Sequence, residues 1–146
     1  MSAILRRLAL ALAAMLPEGV PAQSVPLQPG RYEVLATSTI SVARGTEKGK
    51  TERASRCIRS ADLADPEAVF NNRFLADFRP DGTCRLGNVV IAGGKVAYSA
   101  DCKYSTVQVE GTATGTAYAV VRKARNKGPG PSVETRIDAR RMGACG

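Results

Sequence analysis

The chain has 146 residues, a formal net charge of +8, and neither histidine nor tryptophan. Without imidazole there is no Ser-His-Asp or Cys-His nucleophile system, and the commonest general base and transition-metal ligand are missing. Aromatic residues make up only 5%, too few for a base-stacking surface, so the positive charge does not point to nucleic acid.

The first segment reads as a cleaved signal peptide covering residues 1–22. Arg6 and Arg7 precede an unbroken apolar run over 8–16, Pro17 and Gly19 break any helix, and Val20-Pro21-Ala22 offers small residues to a signal peptidase. The run is about half of the ~20 residues that a spanning helix needs, so no membrane span is expected. Cleavage would leave Gln23 at the N-terminus and predicts a periplasmic or secreted protein. It removes two arginines and one glutamate, so the charge falls to +7 on 124 residues, enough for one domain with its own core.

Residues 23–30 (QSVPLQPG) form a Pro-rich entry segment, and 31–145 is the expected β domain. Tyr32, Val34, Ala36, Ile40 and Val42 alternate with Arg31, Glu33, Thr37, Thr39 and Ser41, as in a strand with one wet face. A charged turn is expected over 45–49, then a strand from about 50 to 58. Ser60 and Asp65-Pro66-Glu67 both look like helix starts. The apolar set Ala68, Val69, Phe70, Phe74, Leu75 and Phe78 is expected to cover one side of a sheet. Pro80-Asp81-Gly82 reads as a turn.

Strands follow at 84–91, 95–102, about 106–113, 117–125 and 133–141. In the last of these, Val133, Thr135, Ile137 and Ala139 face inward. The fold class is mainly β: a single antiparallel, strongly curved or barrel-like sheet of about seven strands with one short helical segment.

All four cysteines, Cys57, Cys84, Cys102 and Cys145, follow the leader, and an even count in a short exported chain points to disulfides. A three-residue hairpin loop over Ala92-Gly93-Gly94, with Ile91 opposite Lys95, places Cys84 opposite Cys102 at a separation that a disulfide tolerates. Cys57 and Cys145 then pair by elimination. A zinc site is not expected, because no two cysteines have knuckle spacing.

The sequence resembles the Domain of Unknown Function 3617 family of small exported bacterial proteins. The resemblance is carried by Pro29-Gly30-Arg31-Tyr32-Glu33-Val34, by Cys57 running into Ser60-Ala61-Asp62, and by Cys84. It continues with Gly93-Gly94-Lys95-Val96 and Cys102 and closes with Arg140-Arg141-Met142-Gly143-Ala144-Cys145. It covers about residues 29–145 and implies an exported β-rich domain with paired cysteines, and no activity.

No catalytic constellation, cofactor or metal is expected. Asp62, Asp65 and Glu67, like Asp77 and Asp81, read as caps and turn residues. Two non-enzymatic readings follow. In the first, a cell-envelope domain binds a small apolar ligand or partner in its curved sheet, lined or plugged by Tyr32, Tyr98, Tyr118, Phe70, Phe74 and Phe78; the alternative for the same aromatics is that they form the core. In the second, a structural or interaction protein meets an anionic envelope component through Arg122, Lys123, Arg125, Arg136, Arg140 and Arg141.

Overall fold

A computed structural model of the protein describes residues 24–75 and 82–146. The expectations for the leader, its cleavage site, Phe78, Asp77 and Asp81 fall outside these residues.

Seven strands form: β1 (Gly30–Val42), β2 (Gly45–Ile58), β3 (Arg85–Ala92), β4 (Lys95–Asp101), β5 (Ser105–Thr114), β6 (Ala117–Asn126) and β7 (Ser132–Gly143). They build one antiparallel sheet in the order β2-β1-β7-β6-β5-β4-β3. Every neighbouring pair is a hairpin except β1 with β7, which joins the two ends of the chain. β2 and β3 are both edges, so the sheet is open and not closed as a barrel.

Alternation sets the inner face. Tyr32, Val34 and Ala36 of β1 are buried, as are Thr135, Ile137 and Ala139 of β7, and Tyr118 and Val120 of β6. Val107, Val109 and Ala113 of β5 and Val96, Tyr98 and Ala100 of β4 complete the layer. At Gly111 of β5 any side chain is forbidden, because a Cβ would collide with the Ala119 carbonyl oxygen of β6.

Two local expectations need correction. β2 begins at Gly45, and the reversal before it is the two residues 43–44, so 45–49 is strand and not turn. Charged residues on a solvated edge strand look like a loop in sequence, because edges carry charge to deter further pairing. In the second case, the β3–β4 loop has two residues, Gly93 and Gly94, both with positive φ (59° and 79°), and Ala92 rather than Ile91 stands opposite Lys95. A register shift between Gly87 and Val90, where Asn88 takes φ 53°, restores Arg85 opposite Asp101. The expected loop was one residue too long and the bulge was missing. The two errors cancel, and Cys84 meets Cys102 as anticipated.

Both disulfides form, Cys84–Cys102 and Cys57–Cys145, with Cα separations of 4.1 and 5.5 Å. The helical segment is a 3-10 turn, Ser60–Ala64, followed by α1, Pro66–Phe70. Ser60 is not the cap of the 3-10 turn: Arg59 holds that place, its backbone N–H donating to the Asp62 carboxylate at 2.7 Å. Asp65 caps α1, accepting from the Glu67 N–H at 2.9 Å. Val69 and Phe70 drive this segment onto the inner face, where both are fully buried. The entry segment packs too. Val25 and Leu27 are buried, Val25 N–H donates to Leu63 O, and Gly115 exchanges bonds with Pro26 and Gln28.

Candidate functional groove

The inner face has two ends that differ in how they are covered. Under α1 and the entry segment, side chains fill it. Phe70 stands edge-on to Tyr118 with centroids 5.3 Å apart and lies 6.5 Å from Tyr98, and Tyr118 is 6.1 Å from Tyr32. The Tyr32 hydroxyl donates to Gln28 O at 2.7 Å, tying the entry segment to β1.

At the other end the described residues leave a groove of about 1080 Å³, just above the usual range for ligand cavities. Its floor carries Ile40, Val133, Ala124 and Leu86 with the Cys84–Cys102 bridge, and its wall carries Asn71, Asn72 and Leu75 from the stretch after α1. Residues of β2 and β1 and of β3 line the same space, so the sheet curls around it.

Between the two ends sits a polar clamp. Arg122, 6% exposed, faces inward from β6 and grips Glu67 of α1 with both terminal nitrogens, at 2.8 and 2.7 Å. The Tyr98 hydroxyl donates to the same carboxylate at 2.6 Å. Bidentate, charge-assisted bonds of this kind are the strong ones. Burial raises the Tyr98 phenol far above its ordinary value, and the Glu67 charge adds to the effect.

A second arginine holds the far end of α1. Arg56 of β2 donates to the carbonyls of Val69 and Ala68 at 2.6 and 2.7 Å, and its guanidinium lies 5.9 Å from the Phe74 ring centre. With three donors on one carboxylate, the clamp fastens α1 to the sheet. Among the described residues no three His, Cys, Asp or Glu side chains gather as metal ligands do.

Of the aromatic set expected to line or plug a cavity, the five described members do not line the groove, and Phe78 lies outside the described residues. Tyr32, Phe70, Tyr98 and Tyr118 are core residues, between 0% and 4% exposed. Phe74 is half-buried against that core. Large flat side chains close a space on themselves, and the groove opens where the inner face carries smaller ones.

The basic set is also dispersed. Arg122 is buried in the clamp. Arg141 donates to Pro29 O at 2.9 Å. Lys123, Arg125, Arg136 and Arg140 project from the outer face, where acids interleave with them. Arg140 stands opposite Glu33, Lys123 opposite Glu134, and Asp138 lies between Arg136 and Arg140 on β7. Sequence reasoning missed the clamp. The signal was there: inward alternation through Tyr118 and Val120 puts Arg122 on the buried face, and a buried arginine demands a carboxylate.

The fold and groove define a disulfide-stapled β domain whose single open sheet is sealed at one end of its inner face and hollow at the other. The chain belongs to the family described as Protein of unknown function (DUF3617), which matches residues 27–145. No curated protein and no solved structure matches it. Its two disulfides fit an oxidising location outside the cytoplasm. Among the described residues no helix is long and apolar enough to cross a membrane.

Proposed function

We propose that this protein is a non-enzymatic, exported domain of the cell envelope that binds a small apolar ligand in the groove of its curled sheet. The supporting observation is the groove beside a closed core. Ile40, Leu75, Leu86, Ala124 and Val133 remain partly exposed around one cavity, although the same inner face is sealed elsewhere. A protein under selection for stability alone would fill that space, since buried apolar area stabilises by roughly 25 cal/mol per Å². The leader at 1–22 supports export, and the mature chain recovered from a periplasmic extract should begin at Gln23.

The groove is tested with an uncharged naphthylamine fluorophore. Saturable enhancement that is equal at about 50 and 300 mM salt, and that is lost in Val133→Asp, is the expected result. Binding of anionic vesicles that disappears over the same salt range, with no response from the fluorophore, would replace the proposal with association through the basic strands.

A further inference from the structure

The hairpin connections fall at the two ends of the sheet, and the ends differ in charge. At one end the β3–β4 and β5–β6 reversals, residues 93–94 and 115–116, are glycine and threonine without a charged group. At the other end the β1–β2, β4–β5 and β6–β7 connections stand side by side. A single register row beneath them runs from Asp101 through Thr106, Arg125 and Ser132 to Ser41. With neighbouring strands about 4.8 Å apart, the three tips span roughly 20 Å.

These three connections carry Arg44, Lys103 and Lys127, all exposed, and no acid. The strand ends beside them add Arg85 and Arg125 against Asp101 alone, which pairs with Lys127 at 2.6 Å and with Arg85 at 3.5 Å. Glu47, one residue further along β2, lowers this sum by one, and residues 76–81, with two aspartates and one arginine in sequence, by one more; it stays positive. The strand cations of the outer face differ, because acids stand opposite or between them.

Apolar surface sits among the tip cations. Tyr104 is 62% exposed and Val42 41% exposed. The Lys103 ammonium lies 4.8 Å from the centre of the Tyr104 ring. The tyrosine is held in place by its backbone. Cys102 is bridged to Cys84, the Cys102 N–H donates to Ser105 O at 2.9 Å, and the Lys127 N–H donates to Tyr104 O at 2.8 Å, joining two tips. Tyrosine beside cations suits the boundary between water and bilayer, where the ring sits at headgroup depth and cations meet lipid phosphates. Separate tips give a folded protein partner no continuous face to pack on, whereas a fluid headgroup layer closes around each of them.

We infer that this end of the sheet docks on an anionic lipid surface. Tyr104 and Val42 enter the headgroup layer, and Arg44, Lys103 and Lys127 meet the phosphates. The surface shares no side chain with the groove lining, so the two readings stand or fall separately.

The chain has no tryptophan, so one can be placed at either end as a reporter. Tyr104→Trp reports from the tips, and Met142→Trp, at an exposed position near the opposite end of β7, is the control. On phosphatidylcholine vesicles with about 30% phosphatidylglycerol, emission from Tyr104→Trp should shift to the blue and be quenched by brominated lipid. Met142→Trp should show neither change, and pure phosphatidylcholine should give no response from either. Arg44→Gln/Lys103→Gln should weaken vesicle binding by about 25-fold, roughly fivefold per cation. The same charge removed from the outer face, in Lys123→Gln/Arg136→Gln, should weaken it by less than about threefold. Melting temperature and the two disulfides monitor folding in all four variants. Absence of vesicle binding at about 50 mM salt, a response from Met142→Trp instead of Tyr104→Trp, or equal losses in the two double variants would overturn the docking surface and leave the groove reading untouched.

Discussion

The sealed and open ends of the inner face are made from the same strands. β6 contributes Tyr118 and Val120 to the closed core and Ala124 to the groove, and β1 contributes Tyr32 and Val34 to one and Ile40 to the other. Strand pattern therefore does not separate them. Two other things do: aromatic side chains at one end against aliphatic and small ones at the other, and the segments that fold back over the closed end. A single sheet can bury a face only against something else. Among the described residues, α1 and residues 25–28 cover one end of it.

If that contrast is correct, substitutions at the two ends should differ sharply in cost. Phe70→Ala removes the ring that fills the space between Tyr98 and Tyr118, and should destabilise by about 3–5 kcal/mol. Val133→Ala, on the groove floor, should cost less than about 1 kcal/mol, because its surroundings are already partly open. Urea unfolding of the two variants measures both. Equal losses would mean that the groove is as tightly packed as the core.

The clamp between the ends gives the next effect. Glu67→Ala strands the Arg122 guanidinium, whose side chain is only 7% exposed. The expected loss is about 3 kcal/mol, the low end for removing one partner of a buried pair, since Glu67 keeps some contact with water. The Glu67→Ala/Arg122→Met double variant should recover most of it, because no buried charge is then left alone. If the double variant loses the sum of the two single losses, the pair is not acting as a unit.

How much of this was legible follows from what each feature depends on. Alternation placed Val133, Thr135, Ile137 and Ala139 inward; the last three are buried, and Val133 is partly buried at the groove. Cysteine spacing yielded both disulfides, with help from two compensating errors in the β3–β4 hairpin. These are local or pairwise properties. The groove was not legible, because it depends on how the described residues of separate strands and of the stretch after α1 come together, which is a tertiary fact. The sequence left the aromatic residues open between lining a cavity and forming the core, and Tyr32, Phe70, Tyr98 and Tyr118 fill the core. The clamp lay in between: Arg122 was readable as inward-facing, but its partner Glu67 sits 55 positions away in sequence, on a helix that no periodicity ties to β6.

The smallest effect separates the closed end by pH. Burial raises the phenols of Tyr98, Tyr118 and Tyr32, with the Glu67 charge adding at Tyr98, Arg56 opposing at Tyr118 and Arg141 opposing at Tyr32. In the unfolded chain these groups ionise near pH 10. Below that pH both states keep their protons, and the tyrosines add no slope to stability. Above it the unfolded chain releases protons that the folded one retains, so stability falls as pH rises. Each tyrosine contributes about 1.4 kcal/mol per pH unit until its folded value is reached. Tyr98→Phe should therefore reduce the slope above roughly pH 10. At pH 7 it should cost only about 1.5 kcal/mol, for the bond to Glu67. Urea midpoints measured across that range give the slope directly. A slope unchanged by Tyr98→Phe would show that this phenol ionises as readily when folded as when unfolded, and would place water at the closed end.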